Sequence, residues 1–159
     1  MKKIDFRWMA KLALFAALYV VLTLISYPFS YNSVQFRISE VLMLLCFYNK
    51  KYTIACVIGC VIANFFSFNL IDCIIGSSAT LIAGLLMSKV KNRIISSFIP
   101  VVFNAIFVGV ELYFYMNVPL IYGILSVGFG EFVVIVILGN ILFHFIEKNQ
   151  TIMARIGLK

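Results

Sequence analysis

The chain has 159 residues, of which 64% are hydrophobic and 12% are charged, and its mean hydropathy is +1.08. Soluble domains are typically about 45–50% apolar and about 25% charged, so this composition excludes a soluble globular protein. Six membrane helices of roughly 20 residues would occupy about 120 residues. We therefore expect one all-α membrane domain over residues 1–159, with no room for a separate catalytic domain.

Six apolar segments predict the helices of this domain. In chain order they cover about residues 9–26, 37–48, 52–68, 70–90, 94–115 and 120–146. The first follows a basic flank but lacks a small-x-small cleavage site, which favours a retained helix over a signal peptide. The second would reach only about 18 Å, so we expect it to be tilted, interfacial or partly re-entrant. Pro100 predicts a kink in the fifth.

The net charge of +7 carries a topology signal. With a cytosolic N-terminus and six alternating segments, twelve of the thirteen Lys and Arg residues fall on the cytoplasmic side, and only Arg37 falls outside. Basic residues collect in cytoplasmic loops. The distribution predicts six transmembrane helices with both termini in the cytoplasm, and it explains the basic excess without a nucleic-acid partner.

Four acids, Glu40, Asp72, Glu111 and Glu131, lie within the apolar segments. Glu131 lies about eleven residues into the sixth segment, or roughly 17 Å from its start, close to the middle of a bilayer. An ionisable group at that depth costs about 3 kcal/mol on insertion scales, and such groups face a cavity or a partner. Glu131 is therefore the strongest candidate for a functional residue.

Helical spacing groups other polar residues with these acids. Asn104 and Glu111 are seven residues apart and share a face, and Gly128 lies one turn before Glu131, where a flat ligand could approach the backbone. We expect the polar groups to converge in the outer half of the bundle, around a pocket open to the outside. The candidate ligand-binding residues are Gln35, Arg37, Glu40, Asn64, Asp72, Asn104, Glu111 and Glu131.

Purely structural roles stay open for several of these residues. Arg37 and Glu40 could form a local ion pair, Asp72 could cap the fourth helix, and Asn64 and Asn104 could hydrogen-bond between helices. The four acids have no basic residue in their depth range, which suits a cation, a proton relay or a base with several N–H groups. No nucleophile, metal or phosphate-loop motif is present, so we predict no enzyme activity, cofactor or metal site.

Three segments resemble motifs of one transporter family. Residues 34–40 read VQFRISE, residues 59–64 read GCVIAN, and residues 72–77 read DCIIGS. They are similar to the VQFRxSE, GCxxAN and DxxxGS segments of the QueT family, and the resemblance covers nearly the whole chain.

The resemblance implies a substrate-binding S component of an energy-coupling factor (ECF) transporter in the bacterial cell membrane. Such a subunit would capture a queuosine precursor, such as 7-aminomethyl-7-deazaguanine, from outside. It would work with a membrane coupling protein and two cytosolic ATPases. Ala13 and Ala17 look like the family's AxxxA motif for the coupling protein, and small residues at this spacing permit close helix contact. Alternatively, Ala13 and Ala17 serve only helix packing within the chain.

The deazapurine edge fits the candidate residues. Its N1–H and 2-amino group match a carboxylate, for which Glu131 is the first choice. Its carbonyl needs a donor, such as Asn104, Asn64 or Gln35, and a cationic aminomethyl group suits Glu111 or Asp72. The alternative function is a stand-alone, proton-coupled carrier of a small organic cation or vitamin. A small intramembrane enzyme acting on lipid is disfavoured by the missing catalytic motifs.

Overall fold

The computed structural model describes residues 5–27, 36–67 and 70–158, and within these ranges the regular structure is all helical. In chain order the helices are α1 (Phe6–Ile25), α2 (Ile38–Tyr48), α3 (Tyr52–Asn64), α4 (Asp72–Met87), α5 (Arg93–Met116), α6 (Leu120–Lys148) and α7 (Gln150–Ile156). The first part of α2, Ile38–Met43, is a 3₁₀-helix. The predicted all-α fold is confirmed.

Short polar residues set several helix ends. The Asp5 side chain accepts a hydrogen bond from the backbone N–H of Arg7 at the start of α1, and Asn92 does the same for Ile94 at the start of α5. Side-chain oxygens at these positions satisfy N–H groups that have no partner inside the helix. Asn117 ends α5 in a left-handed conformation with φ of 56°. Helix α5 continues through Pro100.

Three helices are long and apolar enough to cross a membrane, namely α1, α5 and α6, with 20, 24 and 29 residues. Helices α2, α3 and α4 are apolar but shorter, with 10–17 residues each. These helices occupy the six predicted apolar segments. A shorter helix spans less than a hydrocarbon core of about 30 Å.

Helix α2 lies in the centre of the bundle. Its residues 39–46 are all buried, and it packs against α1 and against the middle of α6. Around it, α1 packs on α3, α3 on α4, α4 on α5, and α5 on α6. The short apolar sequence of the second segment is therefore covered by other helices. Its tilted, interfacial or partly re-entrant position relative to a bilayer stays a prediction.

The basic loops meet at one end of the bundle, which we call the basic end. There Lys51 lies 4.5 Å from the ring centroid of Trp8, and Arg93 forms an ion pair with Glu147 at 2.5 Å. These contacts join the start of α1, the turn before α3, the start of α5 and the end of α6. Since Arg37 directly precedes α2 and Asp72 is the first residue of α4, both lie toward the opposite end.

Candidate functional site

A buried ion pair links the segment before α2 to the start of α4. The guanidinium Nη2 of Arg37 lies 3.5 Å from Oδ2 of Asp72, and the side chains of the two residues are 4% and 11% exposed. A charged pair removed from water is maintained only where further polar groups surround it. This pair is therefore the first sign that polar groups gather inside the bundle.

Helix α3 contributes a polar face directly beside this pair. The Nδ2 of Asn64 donates to the backbone carbonyl of Asp72 at 2.8 Å, which ties the end of α3 to the start of α4. Oδ1 of Asn64 is buried and has no hydrogen-bond partner among the described residues. A Cβ at position 76 would lie 2.9 Å from Nδ2 of Asn64 and 3.7 Å from Nη1 of Arg37. Glycine at position 76 therefore leaves the space that both side chains use.

A second group of polar side chains joins α1, α2, α5 and α6. The hydroxyl of Tyr19 donates a hydrogen bond to Oε1 of Glu40. The side chain of Asn104 interacts with the carboxylates of both Glu40 and Glu131. Glu40 and Glu131 are 1% and 2% exposed, and within the described ranges Oε2 of each has no hydrogen-bond partner. Each of the two carboxylates therefore interacts with Asn104 and keeps one buried oxygen open.

Arg37 connects the two groups electrostatically. Its positive charge acts on Glu40, Glu111 and Glu131 as well as on Asp72. The expectation that the buried acids have no basic residue at their depth is wrong, because the loop before α2 carries the guanidinium into the bundle. Glu111 interacts in turn with the carboxyl group of Asp72. We call this set the acid–amide cluster: Arg37, Glu40, Asn64, Asp72, Asn104, Glu111 and Glu131.

All of the candidate residues except Gln35, which lies outside the described residues, thus lie close to one another. That they bind a ligand in a pocket open to the outside stays a prediction. Two structural alternatives are wrong. Arg37 forms its ion pair with Asp72 rather than locally with Glu40, and Ile71, not Asp72, is the N-cap of α4. The interhelical role foreseen for Asn64 is confirmed by its hydrogen bond to α4.

Gly128 is partly exposed on the surface of α6. It lines an apolar groove of about 640 Å³ on the α5–α6 surface, where a Cβ would lie 3.3 Å from the Cβ of Ala105. Its spacing of three residues from Glu131 puts it on a neighbouring part of the helix surface, and the small residue serves contact between α5 and α6.

Tyr19, Thr23 and Ser39 belong to the surroundings of the cluster but were not predicted. Thr23 donates to the Ser39 hydroxyl at 2.7 Å, one turn from the contact between Tyr19 and Glu40. A signal was available, since Tyr19, Thr23 and Ser26 lie four and three residues apart on one face of an apolar helix.

The opposite face of α1 points away from the bundle. Ala16, Tyr19 and Thr23 are buried, whereas Ala13 and Ala17 are exposed. The two small residues therefore leave a shallow, apolar surface that no described part of the chain covers.

The geometry fits a compact ligand with several N–H donors. The open oxygens of Glu40 and Glu131 are acceptors, Asn104 can donate or accept, and Arg37 donates. Buried polar atoms without partners are costly, so a ligand that bonds to them gains affinity and selectivity.

Comparisons with known proteins place the chain in a family. A family described as QueT transporter matches residues 9–148. The queuosine precursor transporter QueT of Lactococcus lactis subsp. cremoris (strain MG1363) is 46% identical over 84 residues, which are 52% of this chain and 50% of that protein. The match thus spans about half of the relative's length. No solved structure matches the chain. Since the family match covers most of the chain, this membrane protein belongs to the QueT transporter family.

Proposed function

We propose that the chain is the substrate-binding S component of an ECF-type importer and that it binds a queuosine precursor, 7-aminomethyl-7-deazaguanine or a related deazapurine. The observation that carries this proposal is the pair of open oxygens on the buried carboxylates of Glu40 and Glu131, both of which interact with Asn104. The relative from Lactococcus lactis, half of whose length matches this chain, is a queuosine precursor transporter. This match supports the choice of ligand.

Each edge of the ligand has a partner in the acid–amide cluster. Glu131 accepts from N1–H and from the 2-amino group, because one carboxylate can accept two parallel N–H bonds. Asn104 donates to the ring carbonyl, with Gln35 as a further candidate. The amide of Asn64 already donates to Asp72, so Asn64 offers the ligand its open Oδ1 as an acceptor. A cationic aminomethyl group is placed near Glu111 and Asp72, where Arg37 balances part of the negative charge.

Ligand titration of the purified chain tests this assignment. Glu131→Gln replaces one acceptor oxygen by an N–H₂ group that opposes the N–H donors of the ligand. We expect affinity for 7-aminomethyl-7-deazaguanine to fall at least about tenfold. Glu147→Gln at the basic end is the matched control and should leave affinity unchanged. Unchanged affinity in a folded Glu131→Gln protein would refute the edge assignment.

The membrane topology of the proposal has six spans and both termini in the cytoplasm. Support comes from the contacts at the basic end, where residues from four cytoplasmic segments of the proposed topology meet. The cluster then lies toward the outer side, with Arg37 paired to Asp72 instead of exposed in an outer loop. Cysteines introduced singly at position 91 and at position 117 test this topology with a labelling reagent that does not cross the membrane. In intact cells only the cysteine at position 117 should react.

The partners are a membrane coupling protein and two cytosolic ATPases, and the subunit itself is a transport protein rather than an enzyme. Ala13 and Ala17 are proposed to contact the coupling protein because both are exposed on α1. Uptake into vesicles should require the ATPases and ATP.

A stand-alone, proton-coupled carrier is the second candidate. The interaction between the carboxyl groups of Glu111 and Asp72 favours it, because two acids in contact can share and release a proton. Vesicles that contain only this chain distinguish the two functions: a carrier accumulates ligand when a proton gradient is imposed, whereas an S component does not.

A further inference from the structure

We propose that Tyr19 is a positioning residue that fixes the carboxylate of Glu40 and thereby makes the site selective for a purine-type base with a 2-amino group. This inference rests on the proposed function and adds a residue and a recognised ligand group to it. Tyr19 lies on α1 and is not part of the acid–amide cluster; its hydroxyl donates to Oε1 of Glu40.

Tyr19 is held in place from two sides. It is 1% exposed, and α3 approaches it so closely that a Cβ at Gly59 would lie 2.7 Å from the Cβ of Tyr19. One turn further along α1, the Thr23 hydroxyl donates a hydrogen bond to the hydroxyl of Ser39, the residue before Glu40. Both ends of this contact are therefore anchored, and the hydroxyl of Tyr19 has little freedom to leave Glu40.

The hydrogen bond divides the carboxylate of Glu40 into two unlike oxygens. Oε1 is occupied by Tyr19, whereas Oε2 is buried and has no hydrogen-bond partner in the described part of the chain. Asn104 interacts with Glu40 and with Glu131, so the two carboxylates lie close to the same amide. Tyr19 thus leaves a single open acceptor on Glu40, whose carboxyl group is close enough to Glu131 for the two to interact.

This arrangement matches the donors of a 2-amino group. Such a group has two hydrogens, of which one lies parallel to N1–H and can bind Glu131 together with it. The other hydrogen points away from that edge and needs an acceptor of its own. Oε2 of Glu40 supplies it, and a base without the 2-amino group leaves this buried oxygen unsatisfied, which disfavours that base.

The test measures affinities of the full chain in detergent for guanine and hypoxanthine, which differ only in the 2-amino group. In Tyr19→Phe we expect guanine binding to weaken about tenfold while hypoxanthine binding changes less than twofold, so that discrimination decreases. The control is Tyr52→Phe, since Tyr52 is also fully buried but binds the Ile156 carbonyl at the basic end. It should leave both affinities unchanged.

A double-mutant cycle separates positioning from a general effect on folding. In a Glu40→Gln background the substitution Tyr19→Phe should change guanine affinity less than twofold, because its effect passes through Glu40. Equal losses in both backgrounds, or equal losses for both bases, would overturn the proposal.

Infrared spectroscopy of the ligand-free protein tests whether Tyr19 positions Glu40. The carboxyl band that disappears in Glu40→Gln should shift in Tyr19→Phe and stay in place in Tyr52→Phe; an unshifted band refutes the positioning role. If the unmodified chain binds neither guanine nor any deazapurine, the proposed function fails and the 2-amino selectivity fails with it. The infrared band still decides whether Tyr19 positions Glu40.

Discussion

Replacing Arg37 by Met should strongly destabilise the protein, because it removes the cation that the acid–amide cluster surrounds. At 3.5 Å from Asp72, the Coulomb attraction is about 5 kcal/mol for an effective dielectric constant of about 20. Removing one partner of a buried pair typically costs about 3–5 kcal/mol, since the remaining charge stays buried and uncompensated. Here the charge also acts on Glu40, Glu111 and Glu131, so we expect a cost of about 4 kcal/mol.

Thermal unfolding in detergent measures this cost. For a chain of this size, each kcal/mol corresponds to roughly 2–4 °C in Tm, so Arg37→Met should lower Tm by about 10 °C. Glu147→Gln is the matched control, because it breaks an ion pair whose side chains are 15% and 39% exposed. An exposed pair contributes about 0–1 kcal/mol, and this variant should change Tm by less than about 3 °C.

A second substitution tests the cause of the loss. Adding Asp72→Asn to Arg37→Met removes one uncompensated acid and should restore part of the Tm. If Arg37→Met costs no more than Glu147→Gln, or if Asp72→Asn lowers Tm further, the guanidinium is not the charge that stabilises the cluster.

Two further predictions concern helix surfaces. If the proposed coupling protein is a partner, Ala17→Leu should abolish copurification with it while ligand affinity, measured by titration, stays within twofold; loss of both would place Ala17 in internal packing. Gly109→Ala should cost about 1–3 kcal/mol in thermal unfolding, because its Cβ would lie 2.9 Å from the Ile124 backbone. Gly128→Ala, with 3.3 Å to Ala105, should cost less, and equal costs would contradict the packing described for α5 and α6.

Composition and apolar run length were sufficient to predict the helices, since lipid-exposed backbone must satisfy its own hydrogen bonds. The cluster was also largely predictable, because an acid such as Glu131 is costly in an apolar helix unless it meets polar groups. The place of Arg37 was not predictable from topology rules. Those rules assign residues to loops, whereas the pairing with Asp72 depends on how α2 and α4 approach each other.

The surroundings of Glu131 show a second limit of periodicity. Directly after Glu131, residues Phe132–Gly139 form a π-helical segment within α6, so side chains beyond this point are rotated away from the positions that a 3.6-residue repeat predicts. An ideal helix extended from Glu131 therefore gives the wrong direction for the side chains up to Asn140. Asn140 instead faces α5 at the basic end, where it accepts from Nε of Arg93 at 3.0 Å. The irregular segment thus lies between Glu131, which α6 presents to the cluster, and Asn140, which it presents to the basic end.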